Sequence, residues 1–107
     1  MSNDADPRFQ LMVLYDWKPH IGPERIAWHA AKIRALPTIV PGLIEVRFGP
    51  RQCGHPDEDT RGWDHAAVMV FRRHEDFVAF GPSRAHDDVA TELVADLERI
   101  SYVGFTG

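Results

Sequence analysis

The segment Phe80-Gly-Pro-Ser-Arg-Ala-His86 places a histidine six residues past an aromatic, just inside the start of a helical pattern. Imidazole changes charge near neutral pH, so His86 suits a general base that takes a proton next to a carbonyl. A helix N-terminus favours the neutral ring that a base needs, whereas Asp87 and Asp88 act the other way. The plainer role for His86 is to fix the loop through a hydrogen bond to backbone. The aromatic partner is Phe80, which has no hydroxyl to donate. Tyr15 offers a phenol elsewhere, and His65, in Gly62-Trp-Asp-His65, offers a second imidazole that can orient His86 or touch a ligand. Each has a structural alternative: Tyr15 as a core or interface residue bonded to backbone, His65 as a satisfied residue at a strand start.

Two other groupings are weaker. Cys53, His55, Asp57, Glu58 and Asp59 bring thiol, imidazole and carboxylates into one loop, but their spacing matches no metal-binding loop pattern and a solvated acidic loop accounts for them. No metal is expected there. Nothing in the chain marks a base beside Cys53 that would make it a nucleophile. Arg72-Arg73-His74 is a basic cluster that an anion would meet first, and a solvated face explains it as well.

The elements that must hold these residues follow from periodicity. Phe9 to Trp17 reads as a strand with Leu11, Val13, Tyr15 and Trp17 on one face. Pro23 opens a helix whose buried stripe is Ile26, Ala30, Ile33 and Leu36, with Trp28 and His29 beside it; Pro37 and Pro41-Gly42 end it. Leu43 to Gly49 reads as a half-buried strand and residues 50–61 as a polar loop. Asp64 to Phe71 is a more apolar strand with His65, Ala67, Met69 and Phe71 on one face. A short helix over Glu75–Phe80 breaks at Gly81-Pro82, and Ser83 caps a second helix that runs to Leu97 on Val89, Leu93 and Leu97. Arg99 to Phe105 alternates as a last strand, with Ile100, Tyr102 and Gly104 on one face. The order is β-α-β-β-α-α-β. It predicts an α+β, ferredoxin-like layout: a four-stranded antiparallel sheet with helices on one face. The bare face needs a cover, and a second copy of the chain is the simplest one.

Composition narrows the function. The 107 residues make one domain, read as residues 8–107 after a polar leader of residues 1–7. A chain of this size buries only roughly 65% of its unfolded surface, so oligomerisation is a natural supplement. The formal net charge is −4, no basic face emerges, and no segment is long and apolar enough for a membrane span. Nucleic acid and membrane are therefore not expected partners. A single cysteine and no signal-peptide pattern suit a reducing, cytoplasmic setting.

Four features, taken together, resemble the stress-responsive α/β-barrel family of small dimeric ferredoxin-like proteins. They are Trp17-Lys18 at the end of the first strand; Leu36-Pro-Thr-Ile-Val-Pro41 followed by Phe48-Gly49; Gly62-Trp-Asp-His65; and Phe80 to His86. The resemblance covers nearly all of the chain after Pro7. It implies a homodimer with a small-molecule pocket in each protomer, between the helices and the concave sheet face. It also implies pocket-facing positions for Leu11, Val13, His29, Ala30, Ile33, Met69 and Phe80. In a polyketide cyclase of the family, a tyrosine and the histidine six residues later perform the acid–base work of an aldol-type closure without metal or organic cofactor. The histidine corresponds to His86; the tyrosine position holds Phe80. A further pocket histidine corresponds to His65, and another falls at Leu11.

Three functions remain open at this level. The first is a cofactor-free cyclase or lyase acting on a small, largely apolar or polyketide-like carbonyl compound, with His86 as base and Tyr15 or His65 assisting. The second is a non-catalytic dimer that binds a hydrophobic ligand or serves in a stress response. The third, a cofactor-independent monooxygenase or haem-handling protein of the same fold, lacks its sequence marks here.

Overall fold

A computed structural model describes residues 7–52 and 62–107; the leader up to Asp6 and the Cys53–Asp59 grouping lie outside the described residues. Its elements are β1 (Phe9–Trp17), α1 (Pro23–Arg34), a single 3₁₀ turn (Leu36–Thr38), β2 (Leu43–Pro50), β3 (His65–Phe71), α2 (His74–Phe80), α3 (Arg84–Asp96) and β4 (Leu97–Thr106). All strand pairs are antiparallel and the spatial order is β2-β3-β1-β4. This is the ferredoxin-like arrangement that the order of elements predicts.

The core is the helix-facing side of the sheet. Alternation along β1 buries Phe9, Leu11, Val13, Tyr15 and Trp17, and pairing with β3 sets Ala67, Met69 and Phe71 beside them. Ala30, Ile33 and Leu36 close over them from the α1 side, and Phe80 and Leu93 from α2 and α3. In β2, Leu43 and Phe48 are five residues apart yet both are buried. A register shift between Leu43 and Glu45 explains this, because a bulge moves later residues to the opposite parity. Gly42, at φ 81°, makes the turn into β2, and a Cβ there would lie 2.2 Å from Asp76 Cγ.

One boundary departs from expectation. The last strand starts at Leu97 rather than Arg99, directly after α3 with no loop between. A bulge at Asp16/Trp17 brings Trp17 opposite Leu97, whose side chain then enters the core instead of ending the helix stripe. Among the described residues no helix is long and apolar enough to cross a membrane.

Candidate functional site

A cavity of about 370 Å³ lies between the sheet and the helices. Its floor is Leu11, Val13 and Tyr15 of β1 with Met69 of β3, and its helical walls include Ile33, Phe80, His86 and Leu93. Such a size is in the range of small-molecule sites, and a mostly apolar lining with a few polar groups is their usual character.

His86 is placed by a short hydrogen-bonded turn. The Ser83 hydroxyl donates to the Phe80 carbonyl at 2.6 Å and the Ser83 N–H donates to the same oxygen at 3.0 Å. Ser83 Oγ in turn accepts from the His86 backbone N–H at 3.2 Å, capping α3. With α2 and α3 locked at this angle, the six-residue spacing becomes ring contact: Phe80 and His86 meet edge to face at 5.1 Å. Among the described residues, no backbone group holds the His86 ring. Its side-chain neighbour in hydrogen-bond range is Asp87, with Nδ1 3.4 Å from Oδ1, and the side chain stays 40% exposed. It is therefore a solvated imidazole on the cavity wall.

Tyr15 is part of the floor, 3% exposed, with its ring packed against Trp17 and Phe48. Burial pushes its phenol far above the usual range, so it is a proton donor at any physiological pH. Tyr15 and His86 are both among the residues that line the cavity.

His65, His29 and Ala30 do not line the cavity, unlike the pocket-facing positions that the resemblance implies. His65 lies opposite Tyr15 across the β1–β3 pair, and its Nδ1 accepts a hydrogen bond from Trp17 Nε1 at 3.0 Å. Its ring stacks on Phe48 at 5.3 Å. Partial burial lowers its pKa, against a smaller opposing pull from Asp64. The neighbouring Asp64 carboxylate accepts from the Trp17 backbone N–H at 3.1 Å, so this corner is bonded from both sides. His29 is buried and drawn away from the cavity, with Nε2 2.7 Å from Asp96 Oδ2 and its ring stacked on Trp17. Asp96 also accepts from Arg25 Nε at 2.6 Å, and hydrogen bonds from His29 and then Arg25 hold its carboxyl below the usual range. This node ties the start of α1 to the end of α3. The cavity lies toward the other end of α1, which is why Ile33 and Leu36 face it while His29 and Ala30 do not.

The lining also holds residues of α2, α3 and β4 outside the expected pocket positions, among them Ile100 and Tyr102 of β4. The signal was present: alternation placed both on one face, and antiparallel pairing with β1 sets Tyr102 opposite Val13. Asp96 and Arg25 carried no such signal, since their partners are 67 and 71 residues away in the chain. Among the described residues no group of three or more His, Cys, Asp and Glu side chains gathers as a metal site would.

Comparison with known proteins agrees with this architecture. No curated protein matches the chain. Among solved structures, a hydroxynitrile lyase from Passiflora edulis superposes with a TM-score of 0.86 at 20% identity, covering 95% of this chain and 94% of that one. A dimeric ferredoxin-like protein from Thermobifida fusca gives 0.78 at 17% identity, with 96% and 93% covered. SnoaB, a cofactor-independent oxygenase from Streptomyces nogalater, gives 0.69 at 19%, with 96% and 94% covered. At these identities the likeness is one of fold. The family model described as the stress responsive A/B barrel domain matches residues 10–103, and the chain, with its βαββααβ order and single sheet, belongs to that family.

Proposed function

We propose that the protein is a homodimeric, cofactor-free enzyme of the cyclase or lyase type, acting on a small carbonyl compound held in the cavity. The observation that carries this reading is the lining itself: an apolar chamber whose wall holds the His86 imidazole and whose floor holds the Tyr15 phenol. His86 takes a proton from the carbon next to a carbonyl, and the resulting enolate oxygen accepts a hydrogen bond from a phenol that burial keeps protonated. The carbon then attacks a second carbonyl of the same molecule, and the imidazolium returns its proton to the new alkoxide. One C–C bond forms and no oxidant is needed; in the lyase direction His86 takes the hydroxyl proton of a cyanohydrin, the C–C bond breaks to a carbonyl and cyanide, and the imidazolium returns the proton to the cyanide. Two of the similar structures are described as enzymes, a hydroxynitrile lyase and a cofactor-independent oxygenase, which supports a catalytic use of this fold.

The test is turnover of linear poly-β-keto thioesters and of aromatic cyanohydrins, followed by product formation in the wild type and three variants. His86→Ala should lower kcat by about 10²-fold or more, with an unchanged melting temperature. Tyr15→Phe should lower it less. Phe80→Tyr should leave or raise it. The phenylalanine at position 80 favours a second reading, a ligand-binding dimer without catalysis. That reading would hold if His86→Ala altered only stability and no substrate turned over.

A further inference from the structure

Resting on the cavity's role as a ligand site, we infer that it selects for uncharged ligands, which enter between α3 and β4 past Tyr102. Among the described residues that line it, none is Asp, Glu, Lys or Arg; the ionisable groups are Tyr15, Tyr102 and His86. A sulfonate, carboxylate or ammonium drawn inside would lose its hydration and meet no side chain of fixed opposite charge, which disfavours it strongly.

The way in is marked by an unusual exposure. Ile100 and Tyr102 share the helix-facing side of the sheet with Tyr15 and Val13, their partners on β1. Those partners are buried, yet Tyr102 is 65% and Ile100 43% exposed. The helices therefore stop short of β4. Across the gap stands Val94 of α3, also exposed although it lines the cavity. The opening is thus rimmed by apolar side chains from both elements. Tyr102 is its largest and most exposed member, and the residue best placed to decide what passes.

Two fluorescent probes share one skeleton and differ by a single sulfonate: N-phenyl-1-naphthylamine and 1-anilinonaphthalene-8-sulfonate. At pH 8 the neutral probe should bind saturably and the sulfonate about tenfold more weakly or worse. Ala90→Trp, on the cavity wall, should abolish neutral-probe binding. Tyr102→Lys, on an exposed strand where folding is not at stake, should reverse the order by drawing in the sulfonate. Equal affinities in the wild type would overturn the inference. So would the absence of saturable neutral-probe binding, or a preference unmoved by Tyr102→Lys. Neither probe has a carbonyl for His86 to act on, so this outcome stands apart from whether any substrate turns over.

Discussion

At the scale of single residues, the chain separates its histidines by what surrounds them. His86 keeps a solvated ring on the cavity wall, His29 is buried against a carboxylate, and His65 is used as an acceptor. An imidazole whose Nδ1 accepts from Trp17 Nε1 must leave that nitrogen unprotonated, so in the neutral ring the proton sits on Nε2. Burial lowers the pKa of His65 in the folded state. Between that value and the unfolded one, around 6.5, the unfolded chain binds more protons than the folded one. The contribution of His65 to stability is therefore full above about pH 6.5 and declines as pH falls below it. Melting temperatures from pH 7.5 to pH 5 should fall more steeply for the wild type than for His65→Gln, which has no titrating ring. Parallel slopes would show that His65 takes up protons alike in the folded and unfolded chains.

Elements are held in place by different means at their two ends, and this shapes the site. The start of α3 is fixed locally, by Ser83 and the Phe80 carbonyl, and that is why the placement of His86 could be read from the sequence. The far end of α3 is fixed by Asp96 reaching Arg25 and His29, a long-range arrangement that no local pattern encodes. On the sheet, β4 approaches the core closely at one point. Gly104 lies beneath the Phe9 ring, and a Cβ there would sit 2.3 Å from Phe9 Cζ. Phe9 is buried and stacked on Phe77 at 4.7 Å, so it has little room to swing aside. Gly104→Ala should cost about 1–3 kcal/mol through overpacking, seen as a lower midpoint in urea. An unchanged midpoint would mean that the Phe9–Phe77 stack yields.

For the whole molecule, the decisive feature is the sheet face away from the helices. By pairing register, Met12 and Leu14 of β1, Val68 and Val70 of β3, and Val103 and Phe105 of β4 share it. Met12 is 44% and Val103 58% exposed, and the two face one another across the β1–β4 pair. A contiguous apolar sheet face of this kind is the usual mark of a protein contact. The proposed cover is a second copy packed sheet to sheet. Val103→Asp should convert a dimer to monomers in light scattering at micromolar concentration, because the carboxylate would be buried against apolar side chains. A wild type already monomeric there would set the dimer aside.

Periodicity and punctuation alone determined the order of elements, the core face of β1 and the capped turn ahead of His86. Each rests on residues within a few positions of one another, where two-residue alternation, proline and a serine cap act directly. Parity put Tyr15 on the sheet face that the resemblance assigns to the pocket. The pocket-facing positions of His29 and Ala30 did not carry over. Only the tertiary structure decided that His29 turns to Asp96, that His65 is taken up by Trp17, and that Ile100 and Tyr102 rim the cavity. The first two rest on contacts spanning 48 or more residues, and the third on the register between β1 and β4. Such long-range terms override local preference when a buried polar group must find its partner.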